Sequence, residues 1–512
     1  MAGSLTRAID LLRLGGSAWR LRGADEQSVR DSARHALIER MGRLRGLPQK
    51  VGQMLSMGES ESAEDFRRLT EHAPALPVDV IRSELASAWQ QPVQEVLGHL
   101  DANGLAASLG QVHRGELVDG TSVAIKVRLP GIDAAVASDL KHLGWLSLPV
   151  GGLAGRGFDL AGYREEIVRD LNEELDYRVE AEQQRRSAAF AGRLGFVVVP
   201  ETIDEFCREN VLVSSWEEGE TIDKVVAEWS AAEKRSLGKQ LLRLFAASLF
   251  DEGWVHADPH AGNYRFRRDG REPKVLLYDH GSIWKPDREH RLALVRLILS
   301  TARGADEDPY PLFLKLGFRE ETLEPMRDRL APLCRVLFEP LTVEAPYDLR
   351  DWRRGERVAD ILGDDRWNFR ISGSPSLVFL MRTFHGLIYY LEQLGEPVNW
   401  WWHCRGVLEG LEREAARLPL PMTSRRSTTF GQLASHLHIR VQEEGRTKVK
   451  VSLSAGAVED LSDLLDDDVR RKIRTRGIDL EELVRGVRRS GYAPRTLFEL
   501  DEPPRHFAVW LE

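Results

Sequence analysis

Two short segments contain the side chains best suited to chemistry. The first, His256 to Asn263, has a carboxylate at Asp258 and a carboxamide at Asn263, five positions later. The second ends an apolar, strand-like run and places Asp279 two positions before a glycine. Phosphoryl transfer needs a carboxylate that orients the attacking group and oxygen ligands that hold a divalent cation. The segments therefore predict phosphoryl transfer, with Asp258 orienting the acceptor and Asn263 and Asp279 holding Mg²⁺.

A cation for the nucleotide phosphates is expected upstream, in the segment Val123 to Val127. Lys126 is flanked there by β-branched residues, so the pattern predicts a strand that gives its side chain a fixed direction. Taken alone, a strand lysine is usually one whose ammonium reaches solvent, and an aspartate near a glycine usually marks a turn. The order of all these residues along the chain favours the functional interpretation.

Two further segments extend the pattern. Lys50 and Gln53 lie three positions apart in a Lys-x-Gly-Gln motif, on one face if the segment is helical. An alanine-rich loop, Leu105 to His113, stands just before the lysine strand, where a protein kinase has its glycine-rich loop. An amphipathic surface helix with a solvated lysine remains the alternative interpretation of the Lys-x-Gly-Gln segment.

In combination these motifs resemble the UbiB-like (AarF/UbiB) family of atypical kinases over roughly residues 30 to 400. The match also includes a Glu-x-Asp stretch that begins at Glu174. The resemblance implies an α+β, two-lobed protein-kinase-like fold with an N-terminal helical extension, followed here by a small C-terminal α+β module. It further implies ATP and Mg²⁺ as cofactors.

The resemblance also implies roles for individual residues. Lys126 is expected to contact the nucleotide phosphates, with Glu174 as its ion-pair partner on a helix. Asp176 and Glu180 are expected to act with the helix that bears Lys50 and Gln53, which folds over the site where a peptide substrate would otherwise lie. The remaining expected nucleotide contacts lie in the alanine-rich loop and are Ala106, Ala107, Ser108, Gly110 and Gln111.

Two departures from the family pattern limit what can be carried over. His280 stands where protein kinases have the phenylalanine of Asp-Phe-Gly, so the packing that reports an active protein kinase does not transfer. Leu105 and Leu109 differ from the commonest alanine-rich loop. The nucleotide preference therefore stays open.

The overall composition narrows the class of protein. A chain of 512 residues is too long for one hydrophobic core, and 42% hydrophobic with 29% charged residues is ordinary for a soluble protein. A formal net charge of −9 argues against nucleic-acid binding, which normally leaves a basic surface. The three cysteines are too scattered to predict a disulfide framework or a zinc site. With no signal peptide or membrane span in view, we expect a cytoplasmic protein and leave peripheral membrane contact open.

Patterning along the chain predicts five segments. They are a helical extension at 1–100, an N-terminal lobe at 101–216, a helical C-terminal lobe at 217–417, a linker at 418–430 and a small α+β module at 431–512. In the module, apolar residues alternate on both sides of a turn at Glu443 to Arg446, which predicts a β-hairpin. Two helical segments and a final strand follow. Because the module contains no recognisable catalytic residues, we expect it to have a protein-interaction or regulatory role.

Three functions remain open from the sequence. A UbiB-like atypical kinase or ATPase uses every motif and would act on a small molecule or lipid, with a link to isoprenoid-lipid or quinone metabolism. A phosphotransferase of the aminoglycoside or choline kinase type shares the His-x-Asp-x-x-x-x-Asn loop, but the Lys-x-Gly-Gln motif counts against it. The third is a nucleotide-binding scaffold without turnover. The sequence does not identify the phosphoryl acceptor.

Overall fold

The computed structural model describes residues 76–107, 109–134, 136, 168–169, 171–270, 272–423, 428–444, 446–489 and 492–512. These residues form two compact units. The first contains the described residues up to Pro286 together with Pro375–Glu396, and the second contains Asp287–Ser374 and Pro397–Glu512. The boundaries of these two units differ from those of the five segments predicted from the sequence, which stay a prediction.

The described helices and strands are numbered in the order in which they occur along the chain. The helices are α1 Val78–Trp89, α2 Tyr177–Leu194, α3 Ile222–Glu228, α4 Ala231–Ala246, α5 Arg288–Arg303, α6 Tyr310–Lys315, α7 Glu320–Leu323, α8 Leu330–Leu337, α9 Arg354–Leu362, α10 Arg366–Ser372, α11 Leu377–Leu394, α12 Trp400–Ala416, α13 Asp467–Thr475 and α14 Leu480–Arg489. The strands are β1 Leu97–Leu100, β2 Leu105–Ala106, β3 Gly110–Leu117, β4 Ser122–Arg128, β5 Val197–Val198, β6 Val211–Ser215, β7 Val255–His256, β8 Tyr264–Arg267, β9 Lys274–Leu277, β10 Ile283–Trp284, β11 His436–Glu443, β12 Arg446–Ser454, β13 Arg495–Glu502 and β14 Arg505–Leu511. A π-helical turn, Ala247–Glu252, follows α4 directly. Within the described ranges, every helix is too short or too polar to span a lipid bilayer.

A five-stranded antiparallel sheet lies at the start of the first unit. Its strands run β1-β3-β4-β6, with β2 paired to β3. Successive side chains of a strand point to opposite faces, so Val123, Ile125 and Val127 of β4 share one face and pack in a core that includes residues of α1. Lys126, between two of them, therefore points to the other face of the sheet.

Helix α2 begins at Asp176, whose carboxylate accepts a hydrogen bond from the backbone N–H of Arg178 at 3.0 Å. This N-cap satisfies one of the N–H groups that a helix start leaves without a partner. The helix ends at Gly195, which has a positive φ of 72°. Glu180, on the first turn of α2, is buried. A buried carboxylate requires a cation or hydrogen-bond donors nearby.

Short strands bring the two chemically active segments together. Strand β7 pairs antiparallel with β10, with His256 opposite Ile283. Strand β8 pairs antiparallel with β9, with Tyr264 opposite Leu277. The loop after β7 and the loop after β9 consequently emerge side by side. The pairing thus places the Asp258 segment next to the Asp279 segment.

The second unit contains helices α5 to α10 and α12. Ion pairs join α5 to α12, including Arg303 to Glu412 at 2.5 Å. On α12, Trp400 and Trp401 are buried, whereas Trp402 is 61% exposed. Three adjacent residues of a helix cannot share one face, so this tryptophan run is a packing feature with one exposed member.

The C-terminal module (residues 431–512) belongs to the second unit and has a four-stranded antiparallel sheet in the order β12-β11-β14-β13. The hairpin of β11 and β12 is present where the sequence predicts it. Leu437, Val509 and Leu511 face a core that also contains residues of α13 and α14. Two details differ from the sequence prediction. The second predicted helical segment, roughly Val469 to Arg489, is divided into α13 and α14 at Gly477, which has a φ of 75°, and β13 forms an additional strand.

Charged side chains join the C-terminal module to the helices of its own unit. Arg488 of α14 forms ion pairs with Glu459 and with Asp360 of α9, and the hydroxyl of Tyr492 donates to Glu459. Arg335 of α8 donates to the carbonyl oxygen of Ala434. The module is therefore connected by side-chain contacts as well as by the chain.

We expect Arg488→Ala to destabilise the C-terminal module by about 3 kcal/mol, because it leaves the buried Glu459 carboxylate without its cation. Hydrogen exchange of the β11 amides would report the change as lost protection. The matched control is Arg471→Ala, since Arg471 is 75% exposed and its pair with Asp468 contributes less than about 1 kcal/mol. Equal protection in the two variants would show that the Arg488 ion pairs do not hold the module.

Candidate active site

Lys126 forms the centre of a buried ion cluster. Its ammonium donates to both carboxylate oxygens of Glu180 at 2.8 Å and lies 3.1 Å from Oδ2 of Asp279. The side chains of Lys126 and Glu180 are only 11% and 2% exposed. Across the sheet, Lys126 is opposite Val112 and Leu212, so these residues share its face.

The structure corrects the predicted ion-pair partner of Lys126, which is Glu180 and not Glu174. Glu174 lies in a helical stretch that ends before Asp176, whereas Glu180 lies on α2, which packs against β6, the neighbour of the lysine strand. Glu174 still borders the cluster, because a Cβ at Gly281 would be 3.4 Å from its Cγ. It is thus a neighbour of the ion pair and not a member of it.

The electrostatics of the cluster follow from burial. Burial raises the pKa of Glu180 to about 7; Asp279 and Glu174 add to the rise, and Lys126 opposes it. Burial alone would also raise the pKa of Asp279, but Lys126 and the N–H of Gly281 hold it well below its usual range. Two carboxylates, those of Glu180 and Asp279, therefore contact one ammonium. This excess of negative charge favours the binding of a further cation.

The backbone around Asp279 is held in an uncommon conformation. Asp279 has a positive φ of 51°, which is rare for a residue other than glycine and is often found at functional sites. Nε2 of His256 donates to the carbonyl oxygens of Tyr278 and Asp279 at 3.1 and 2.8 Å. The N–H of Gly281 donates to Oδ1 of Asp279 at 3.1 Å. These contacts fix the direction in which the Asp279 carboxylate points.

His280, which replaces the expected phenylalanine, is fully buried. Burial lowers its pKa to about 3, so its ring stays neutral at physiological pH. The ring packs edge-to-face against His256, with centroids 5.5 Å apart. His280 thus acts as a packing residue for the histidine that holds Asp279.

The other loop places Asp258 and Asn263 in direct contact. Nδ2 of Asn263 donates to Oδ2 of Asp258 at 2.9 Å, and Arg382 of α11 forms an ion pair with the same carboxylate. Burial alone would raise the pKa of Asp258, but Arg382 and His260 lower it, so the carboxylate is charged. Because the NH₂ group of Asn263 is turned to Asp258, its amide oxygen is the atom that can ligate a cation.

Helix α11 holds this loop through three residues spaced four apart, which lie on one helix face. Arg382 contacts Asp258, and the hydroxyl of Tyr390 donates to the carbonyl oxygen of Pro259 at 3.2 Å. Between them, Gly386 approaches so closely that a Cβ would overlap Pro259. The sequence interpretation missed this helix. The available signal was the regular spacing of an arginine, a glycine and a tyrosine.

Two residues of the expected site, Gln111 and Asp176, make structural contacts. Gln111 lies opposite Val127 and so shares the core-facing side of the sheet, away from Lys126. It is fully buried, and its Oε1 accepts a hydrogen bond from the backbone N–H of Leu76 at 2.8 Å. Asp176 caps α2, and its pKa is lowered by the hydrogen bonds from Arg178. Neither side chain contacts the Lys126 cluster.

The alanine-rich loop is described in part. Ala106 pairs with Gln111 across the β2-β3 ladder, and the N–H of Ala107 donates to the carbonyl oxygen of Gly110 at 3.0 Å. Gly110 lies against Tyr177, on the same face of the sheet as Lys126. Lys50, Gln53 and Ser108 lie outside the described residues, so their predicted roles stay predictions.

The oxygen atoms that could ligate a metal ion are suited to a site in which nucleotide phosphates provide further ligands. Within the described ranges, no group of three or more His, Cys, Asp and Glu side chains is placed to hold a metal ion. Mg²⁺ typically takes one or two protein oxygen ligands together with phosphate oxygens and water. Asn263 and Asp279 provide such ligands beside the negatively charged cluster. The residues present therefore fit Mg²⁺ in company with a phosphate group.

Comparison with known families gives a match over nearly half of the chain. Residues 68–308 match the family described as ABC1 atypical kinase-like domain. The solved structure of Rv3197 with erythromycin, from Mycobacterium tuberculosis, is similar with a TM-score of 0.53 and 24% identity. It covers 75% of this chain and 98% of that one. Together these findings confirm the predicted kinase-like fold with mixed helices and sheets.

Curated relatives are similar over part of their length. The chain is 30% identical over 322 residues to the mitochondrial atypical kinase coq-8 of Caenorhabditis elegans, covering 61% of this chain and 42% of the relative. For the mitochondrial atypical kinase COQ8B of Rattus norvegicus, the identity is 27% over 345 residues, with 64% and 62% covered. For the mitochondrial atypical kinase COQ8 of Saccharomyces cerevisiae, it is 26%, with 72% and 75% covered. The chain thus spans less than two thirds of the worm and rat proteins.

We expect Gly386→Ala to destabilise the protein by about 1–3 kcal/mol, because the added Cβ overlaps Pro259. Thermal unfolding measures the loss, and hydrogen exchange of the loop at 257–263 locates it. The control is Gly192→Ala on α2, where a Cβ meets open space and alanine should stabilise the helix by about 0.5–1 kcal/mol. If both substitutions stabilise the protein, the close contact between α11 and the loop is not maintained in solution.

Proposed function

Because the chain belongs to the UbiB-like (AarF/UbiB) family of atypical kinases through its ABC1 atypical kinase-like domain, we propose that it binds ATP with Mg²⁺ and transfers or hydrolyses the terminal phosphate. One observation carries the proposal: the ion cluster of Lys126, Glu180 and Asp279 forms beside a loop in which Asn263 contacts Asp258. A cation, two metal ligands and a charged carboxylate are the parts that phosphoryl transfer needs.

Each residue has a distinct task in this proposal. Lys126, held by Glu180, neutralises charge on the nucleotide phosphates. Asp279 and the amide oxygen of Asn263 hold Mg²⁺, which when bound offsets the negative charge of the phosphates and of the carboxylates around Lys126. The Asp279 oxygens make one contact each, to Lys126 and to the N–H of Gly281, so each retains capacity for a metal contact.

Asp258 orients the attacking hydroxyl or water. Its negative charge is maintained by Arg382, and its position is set by Asn263 and by the contacts of α11 with Pro259. A charged carboxylate at this point can accept a hydrogen bond from the attacking group and take up its proton as the phosphorus–oxygen bond forms. The same geometry serves an alcohol acceptor or water, so it supports a kinase and an ATPase alike.

For the acceptor, we propose an isoprenoid lipid or a quinone precursor, on the basis of the family resemblance. Such acceptors would bring the protein to a membrane surface. This contact would not require a membrane-spanning helix in the described part of the chain. The C-terminal module is proposed to bind a partner protein. Supplying purified protein with ATP, Mg²⁺ and vesicles with and without a polyprenyl phenol tests the acceptor, since turnover should rise only when the phenol is present.

We expect Asp279→Asn to abolish Mg²⁺-dependent binding of ATP, because a neutral amide replaces the charged metal ligand. Isothermal titration with ATP in Mg²⁺ and in EDTA measures the dependence. Asp258→Asn is the control, since it should retain Mg²⁺-dependent binding and lose at least tenfold in turnover. ATP affinity that is equal in wild type and Asp279→Asn, with and without Mg²⁺, would overturn the metal assignment.

Lys126→Ala and Glu180→Gln should each lower ATP turnover at least tenfold, because each removes one partner of the buried ion pair. The two effects should not multiply in the double variant, since coupled residues act as a unit. Glu182→Gln, on the same helix but 73% exposed and paired with Arg185, should leave turnover unchanged. Independent, multiplying effects of the first two substitutions would mean that the ion pair does not form in the working enzyme.

A further inference from the structure

Tyr177 is the first residue of α2 and lies against the ion cluster. Nζ of Lys126 is 5.1 Å from the centroid of its ring. The hydroxyl reaches Gly110, where a Cβ would overlap it. Gly110 is opposite Arg128 and therefore shares the face of Lys126, two positions before Val112, the cross-strand partner of Lys126. Tyr177 thus has its ring near the buried cation and its hydroxyl at Gly110, within the alanine-rich segment.

The hydroxyl of Tyr177 is a buried donor for which the described part of the chain offers no acceptor. The residue is 1% exposed, and no described protein group forms a hydrogen bond with its hydroxyl. Burial raises the pKa of Tyr177, so the group keeps its proton and remains a donor. Leaving such a group without a partner costs about 1–3 kcal/mol, and buried polar groups of this kind are rare.

The surroundings indicate the class of ligand that would satisfy this donor. An O–H donor beside an ammonium group is suited to an anionic oxygen, since both groups stabilise negative charge. Because Gly110 has no side chain, the Tyr177 hydroxyl fits against it where an added Cβ would overlap. Among the parts of a nucleotide, only the phosphates offer anionic oxygens.

We infer that Tyr177 is a binding residue for the nucleotide, an inference that rests on the proposed function. Its hydroxyl donates a hydrogen bond to a phosphate oxygen next to Lys126. The unmet hydrogen bond of the free protein is then completed when nucleotide binds. Tyr177 acts in binding and takes no proton in the reaction. This role explains why a hydroxyl is present where phenylalanine would pack equally well.

Tyr177→Phe removes the hydroxyl and keeps the ring over Lys126. We expect ATP and ADP to bind about tenfold more weakly in Mg²⁺, on the scale of one hydrogen bond to a charged group, and adenosine to bind unchanged. The melting temperature should be equal to that of wild type or higher, because an unpartnered buried hydroxyl is removed. Calorimetry of the three ligands and thermal unfolding give both readouts on the full chain.

The control is Tyr310→Phe, which should change none of the three affinities. Tyr310 is a fully buried tyrosine of the second unit, and the Arg327 guanidinium lies 4.1 Å from its ring centroid. Unchanged ATP affinity in Tyr177→Phe overturns the inference. Equal weakening of adenosine and ATP also overturns it, because that result assigns the effect to ring packing. Failure of wild type to bind ATP overturns the proposed function itself and is distinguished by the wild-type titration.

Discussion

Burial of Lys126 with its two carboxylates is the interaction on which the site depends. A lysine ammonium and a glutamate this deeply buried are costly unless each is paired, and the pairing requires elements that are distant in the sequence. Lys126 comes from a central strand, Glu180 from α2 and Asp279 from the loop after β9. The cluster therefore forms only when the sheet, the helix and the loop are all in place.

The surroundings of the cluster are arranged to hold charges that would otherwise repel. His256 fixes the backbone of Asp279, and His280 packs behind it as a neutral ring. Asp258 is balanced by Arg382 from α11. The carboxylates around Lys126 still exceed the cations among the described residues. A divalent ion and a phosphate group together would restore the balance, and this charge balance links the structure to the proposed reaction.

The central residues could be predicted from the sequence because their signals are local. Asp258, Asn263 and Asp279 lie within a short stretch whose strand pairing brings two loops together, and Lys126 lies in an evident strand. The structure differs from the predicted pairing of Lys126 with Glu174, because α2 starts after the N-cap at Asp176 and presents Glu180 to the lysine. That cap could have been inferred from the aspartate at the start of the helix.

Other features depend on contacts that no local pattern contains. Arg382 is 124 positions from Asp258, and nothing near either residue indicates the pairing. The prediction that Gln111 contacts the nucleotide does not anticipate that its side chain faces the core. The face of a strand residue follows from cross-strand register, which no local pattern contains. In the C-terminal module, β13 pairs with β14 alone among the described strands, and its apolar alternation is interrupted by a bulge between Thr496 and Phe498. The period-2 signal is correspondingly weak.

The most direct test of the account is whether Asp279 and a nucleotide together bind a divalent cation. Mn²⁺ replaces Mg²⁺ in such sites, and electron paramagnetic resonance measures the free ion. We predict that wild type with ATP binds more Mn²⁺ than ATP alone does, and that wild type without ATP binds Mn²⁺ weakly. Asp279→Asn should lose this additional Mn²⁺ binding in the presence of ATP. An equal increment in wild type and Asp279→Asn would contradict the claim that the Lys126 cluster forms a metal–nucleotide site.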